Sequence, residues 1–288
     1  MRVADESIVR MILRVLRVPS LRREGFRCIG SMFFHFFVRQ YRAALFPGRI
    51  PVSQADHPLD AAIPFTPKQV TVYLTFISFW VRSLGFLLRT YRKEAFGPVR
   101  DFISAMSEIY RLAGEVYRRN LSTTFRPRSI ANSRFLLIHL FDPHLMCIPS
   151  LHVLVVTLTY TRFRDIVRTM GGGERLSSQI EEARESALRI TESVLYVKQH
   201  SINCVAASLY MMTRFDPRLF PQEEARCFVS ELFIHEDIPS QADRVRITAF
   251  IGERYDRFIS EGSAASSWED PLLDFLRQMP PAQPPAVS

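Results

Sequence analysis

The sequence predicts an all-α fold. Two observations carry that expectation: 47% of the residues are hydrophobic while glycine fills only 11 of 288 positions, and the apolar residues recur in long, charge-punctuated runs rather than in short alternating strands bounded by turns. No polar linker divides the middle of the chain. One helical domain over residues 1–279 is therefore expected, despite a length above the usual domain size. A proline-rich tail over 280–288 is expected to be disordered.

Residues 3–18 set Ile8, Ile12, Val15 and Leu16 against Arg10, Arg14 and Arg17, the pattern of a basic amphipathic helix. Such a helix lies on a membrane or docks on its own domain, and docking is the simpler expectation. His35, among Phe33, Phe34, Phe36 and Phe37, reads as core packing. A proline-rich connector runs from Pro47 to Pro67, where Thr66 and Pro67 form an N-cap and first helical position for an apolar helix to about Tyr91. Its stretch from Gln69 to Val81 is uncharged and continues past Arg82 through Leu88, close to the roughly 20 residues that cross a bilayer. Gly97-Pro98 ends that unit. A second helix over 99–119 carries the core stripe Phe102, Met106, Ile109, Leu112 and Val116.

From Asn120 to Asn132 apolar periodicity is lost, which predicts a loop presenting hydroxyls and arginines. Asp142-Pro143 and Pro149-Ser150 bracket another non-helical segment, after which Ser150 caps a helix over 151–168. Gly171 to Gly173 make a turn. One long helix over 176–213 is expected next, solvated in its first half and buried around His200 in its second. Further helices follow, one opened by Ser240 and Asp243.

The formal charge of +8 is nearly all arginine, since lysine occurs only at positions 68, 93 and 198. It favours anionic partners: phosphorylated small molecules, lipid headgroups or a membrane surface. No base-reading motif is present, so no nucleic acid is expected. Cys28, Cys147, Cys204 and Cys227 lie far apart without a C-x-x-C pair, which fits a reducing compartment. Asp5, Glu6 and the following arginines do not suit a signal peptide. A cytoplasmic, membrane-associated location is expected.

Three segments carry candidate chemistry: Arg119 followed after six residues by Arg126-Pro127; Pro149-Ser150-Leu151-His152; and Ser193 with His200 and Cys204. Their order and spacing, within 99–213, resemble the superfamily of type 2 phosphatidic acid phosphatases and vanadium haloperoxidases, with its K-x6-R-P, P-S-G-H and S-R-x5-H-x3-D motifs. The resemblance implies that fold and a phosphatase or phosphotransferase acting on a phosphate monoester or lipid-linked phosphate. It implies His200 as the nucleophile forming a phosphohistidine, His152 as the acid protonating the leaving oxygen, and Arg119, Arg126 and Ser150 as the phosphate cradle. Ser193, Lys198 and Arg128 are auxiliary candidates. No cofactor or metal is implied.

The sequence departs from the pattern where Arg119 replaces lysine, Val194 replaces arginine and Cys204 replaces aspartate. A thiol is a poor acceptor for the imidazole nitrogen that an aspartate would orient. The alternative is therefore a catalytically silent relative serving as a phosphate-, lipid- or protein-binding scaffold, with His200 a satisfied core histidine and Ser150 an ordinary cap. His139, Asp142 and His144 are close enough to suggest metal ligands, but Pro143 breaks their periodicity. Glu231, His235 and Asp237 read as a helix-end cluster.

Overall fold

An amphipathic helix must bury its apolar stripe against a second layer, and this chain answers with helices that wrap two largely buried ones. The computed structural model describes residues 2–127, 134, 135, 138, 142–234 and 240–282. It is 73% helix and 3% strand, as the sparse glycine and helical spacing predict. After a short 3-10 turn at Val3–Asp5, α1 spans Ile8–Arg17, α2 Pro19–Met32 and α3 Arg39–Leu45, with a π-helical segment at Phe33–Val38 joining the last two. Then come α4 (Val70–Tyr73), α5 (Phe76–Tyr91), α6 (Phe96–Arg119), α7 (Leu151–Thr169) and α8 (Ser177–Tyr196). The chain continues through α9 (Ile202–Phe215), α10 (Gln222–Ser230), α11 (Gln241–Ala264) and α12 (Asp270–Gln278).

The core sits around α7 and α9, which touch each other; α5, α6 and α8 pack on α7, and α11 on α9. Every residue of α9 from Ile202 to Thr213 is buried. That fits its nearly uncharged sequence, because a helix apolar on all sides is stable only when enclosed. Ser150 caps α7 as expected, its Oγ accepting from Val153 N at 3.5 Å, and Ser240 likewise caps α11 through Asp243 N at 3.3 Å.

Several boundaries differ from the sequence expectation. The helix expected over 67–91 opens with a 3-10 turn and breaks at Leu74 and Thr75, and Thr66 makes no capping bond through its side chain. Its hydroxyl donates instead to Pro64 O. α6 starts before Gly97-Pro98, which lie in its first turn, where a missing proline N–H costs nothing. Across Pro67–Arg119 one stretch is apolar enough for a bilayer by length and composition, but half of it is buried within the protein.

The loop after α6 begins with a strand, Leu121–Thr123, paired in parallel with Val52–Gln54. Pro281 bridges Ser53 from the other side, and Ala282 N donates to Val52 O at 2.8 Å. The first residues of the proline-rich tail thus pair beside Val52–Gln54; residues 283–288 lie outside the described residues. His35 does pack inward, its ring over Gly114, yet Phe33, Phe34 and Phe37 beside it are exposed. All four cysteines are free thiols.

Candidate functional site

The expected long helix over 176–213 is two helices, and the break between them builds the site. α8 ends at Tyr196. Lys198 then takes a left-handed φ of 53°, and Gln199 N and His200 N both fold back onto Val194 O at 3.0 and 3.2 Å. The turn is fastened from outside: the Lys198 ammonium donates to the carbonyls of Asp60 and Ile63, and Asp60 Oδ1 accepts from Ile202 N at 3.0 Å, serving an orphan donor at the start of α9. Left-handed backbone costs a non-glycine residue about 1–2 kcal/mol, which these bonds offset. His200 is therefore held on a rigid corner, not on a helix face.

His152, in the first turn of α7, faces that corner. Its ring centroid lies 5.6 Å from that of His200, with the planes at 61°. Tyr73 stacks on His152 at 4.3 Å and Phe76 leans on it at 4.2 Å, so the break between α4 and α5 supplies an aromatic clamp. α7 itself is positioned by Ser208 of α9, whose Oγ accepts from Ser150 N at 2.7 Å, and by Tyr117 of α6, which donates to Pro149 O.

Arg126 enters from the loop after the second strand. Its Nε donates to Gln199 Oε1 at 3.0 Å, Nη1 to Asp142 O at 3.2 Å, and Nη2 to Asp142 Oδ2 at 2.7 Å. Asp142 Oδ1 also accepts from Gln40 Nε2 at 2.9 Å and His144 N at 3.0 Å. His144, at φ 57°, meets Thr124 Oγ1 through Nε2 at 2.8 Å. An ion pair thus sits beside three imidazoles on a scaffold of satisfied hydrogen bonds.

Burial sets the protonation states. It pushes the His200 pKa down to about 4, with Asp142 and the Cys147 backbone pulling upward and Arg126 downward. Burial, reinforced by His200 and opposed by Asp142, takes His152 to about 3. Burial and the Arg126 charge take His144 to about 3. Burial alone would raise Asp142, but Arg126 and His144 outweigh it and hold the carboxyl below its usual range. Near neutral pH the site therefore holds three neutral imidazoles around a guanidinium–carboxylate pair. His200 Nδ1 is buried without a hydrogen-bond partner among the described residues.

Of the residues singled out from sequence, His152, His200 and Arg126 come together, and Ser150 lies at the foot of the helix bearing His152. The others do not join them. Arg119 is exposed at the end of α6 and pairs with Glu269 at 3.0 Å; its described contacts include none of the three. Ser193 is enclosed within α8 and donates to Ile190 O at 2.7 Å. Lys198 is spent on the backbone at Asp60 and Ile63. Val194 is core. Cys204 Sγ accepts from Ser201 N at 3.4 Å, closing the start of α9; with the chain bent at 198–201, it does not share a helix face with His200.

Arg128 and the metal candidate His139 lie outside the described residues, as do His235 and Asp237. Among the described residues, no group of three or more His, Cys, Asp or Glu side chains could hold a metal ion. Glu231 pairs with Arg184 at 2.7 Å. Sequence reasoning missed Gln199, Tyr73, Phe76 and Gln40, and weighed Asp142 and His144 only as metal ligands. Adjacency to His200 was the only signal for Gln199. No protein-family model, curated protein or solved structure matches this chain.

Proposed function

We propose that this chain handles the phosphate of a phosphate monoester or lipid-linked phosphate between Arg126, His152 and His200, with the helical fold of the type 2 phosphatidic acid phosphatases. The observation that carries the reading is the meeting of the two imidazoles beside a guanidinium, from three segments far apart in sequence. A neutral imidazole is a competent nucleophile, so His200 can attack phosphorus and form a phosphohistidine. A phosphate dianion brings negative charge to a poorly solvated site and raises the pKa of His152, giving it the proton it must donate to the leaving oxygen, while His200 stays unprotonated to attack. The same anion competes with Asp142 for Arg126. Water or an acceptor alcohol then takes the phosphoryl group.

Transfer by this route is slow. His200 Nδ1 has no acceptor among the described residues, and replacing the orienting acid of the serine-protease triad lowers turnover about 10⁴-fold. Arg119 at Glu269 and Val194 in the core leave Arg126 as the one cradle cation in place among the described residues. These features also favour a second reading, a catalytically silent relative that binds the phosphate without cleaving it.

Incubation with an aryl phosphate monoester, followed by mass spectrometry for phosphohistidine, separates the two. Label at His200, lost in His200→Ala and Arg126→Ala, supports transfer. Vanadate binding without label supports the silent scaffold. Neither label nor vanadate binding refutes both.

A further inference from the structure

The net charge of the chain is not spread over it. Residues 1–50 hold ten arginines and no lysine against Asp5, Glu6 and Glu24, a surplus of seven out of the whole chain's eight. The exposed apolar residues are concentrated in the same stretch. Of the eighteen large hydrophobic side chains exposed among the described residues, thirteen lie between Val9 and Phe46. Scattered exposed apolar residues are ordinary, but a contiguous set is not.

The backbone makes them contiguous. α2, the π-helical segment and α3 run on with right-handed helical geometry at each junction, forming one rod over 19–45. Phe26, Ile29, Phe33 and Phe37 follow one another along it at helical spacing, Ile29 at 64% exposure. Beside the rod, α1 buries Met11 and turns Ile12 and Leu16 outward. Ile12 and Leu16 share an apolar groove of about 240 Å³ with Phe26 and Ile29. Toward the far end of the rod, a cavity of about 790 Å³ lies among Arg39, Arg42, Arg49 and Arg118, with Phe34 and Phe46 on its wall and no acidic residue lining it. Arg39 Nε is buried there without a hydrogen-bond partner among the described residues.

We propose that this face, α1 with the rod over 19–45, seats the protein on the surface of an anionic lipid bilayer, its aromatic and aliphatic side chains in the headgroup boundary and its arginines on lipid phosphates. Charge complementarity selects that occupant: a second copy of the chain would bring a second surplus of seven positive charges against the first, whereas an anionic leaflet neutralises it. Arginine stems and phenylalanine rings also suit a boundary that is apolar on one side and wet on the other. α1 thus docks and stays amphipathic outward, so the two alternatives open in the sequence are compatible. The inference stands apart from phosphoryl chemistry at His200, although Gln40 of the same rod reaches Asp142.

The test is vesicle co-flotation of the full chain with phosphatidylcholine alone and with phosphatidylcholine plus phosphatidylserine, at low and high salt. Binding is expected only to the anionic vesicles and is expected to weaken with salt. Arg10→Ala with Arg23→Ala lowers the partition coefficient about fivefold per arginine, about 25-fold together. Phe33→Ser with Phe34→Ser and Phe37→Ser abolishes binding. All these side chains are exposed, so circular dichroism and melting temperature serve as folding controls. Equal binding to both vesicle types, no binding to either, or binding indifferent to both variant sets overturns the proposal. A dimer in sedimentation that the phenylalanine variant dissociates, with vesicles ignored, assigns the face to a second copy instead.

Discussion

Asp142→Asn isolates the electrostatic core of the site. The asparagine keeps the shape and can still accept from Gln40 and the His144 amide through Oδ1, but its amide NH2 then faces Arg126 Nη2 in place of an acceptor. Arg126 keeps two neutral acceptors, Gln199 Oε1 and the carbonyl of residue 142. It loses the carboxylate at 2.7 Å, in a pair whose side chains are 13% and 28% exposed. A charge-assisted hydrogen bond contributes about 1.5–3 kcal/mol, and partial solvation argues for the middle of that range, about 2 kcal/mol of folding stability. In a protein of this size that lowers the melting temperature by about 3 °C.

The freed guanidinium should then bind an oxyanion more tightly. An incoming anion no longer displaces a carboxylate, and about 2 kcal/mol corresponds to about 30-fold in vanadate affinity. Calorimetric titration with vanadate, alongside differential scanning calorimetry, reads both effects. Lower stability with vanadate affinity unchanged or weakened would refute the reasoning, because Asp142 would then not be competing for Arg126.

Acid should destabilise the protein early. His144, His152 and His200 have folded pKa values of about 3, 3 and 4 against about 6.5 unfolded, so between those limits the unfolded chain binds protons the folded chain refuses. Stability is then fully present above pH ~7 and falls by up to about 4 kcal/mol per pH unit near pH 5; a flat urea midpoint from pH 7 to 5 would contradict it. Gly262→Ala places a Cβ 2.3 Å from Tyr210 Oη, displacing the hydroxyl that donates to Trp268 O at 2.8 Å, and should cost about 1–3 kcal/mol in chemical denaturation. Ser150→Ala removes the α7 cap and should cost about 0.5–2 kcal/mol, measured the same way with His152 geometry checked by its NMR shifts.

What the sequence disclosed and what it concealed divide along physical lines. The α7 start was legible because a Pro-Ser pair before an apolar run is a local cap signal, and it put His152 in the first turn of that helix. The bend at 198–201 was not legible, since neither glycine nor proline marks it: Lys198 is held in left-handed backbone by Asp60 and Ile63, more than 130 residues earlier in the chain. The same holds for the break after Tyr73, whose role as a clamp on His152 exists only in three dimensions. Arg119 matched a motif position, but Glu269 at the far end of the chain claims its side chain. The strand at Leu121–Thr123 is three residues long and depends wholly on its partner at Val52–Gln54, so no local pattern announced it. The contacts of Pro281 and Ala282 depend on the same strand.

The most direct measurement is the protonation of His152 and His200 by ¹⁵N-histidine NMR near pH 6, with and without vanadate. A unit charge about 4 Å away at a partly solvated site is worth about 4 kcal/mol, enough to carry His152 back into the ordinary histidine range. His152 should be neutral in the free protein, become imidazolium when vanadate is added, and stay neutral in Arg126→Ala, with His200 unprotonated throughout. A His152 ring that ignores vanadate, or that responds identically without Arg126, would contradict a phosphate site at this corner of the fold.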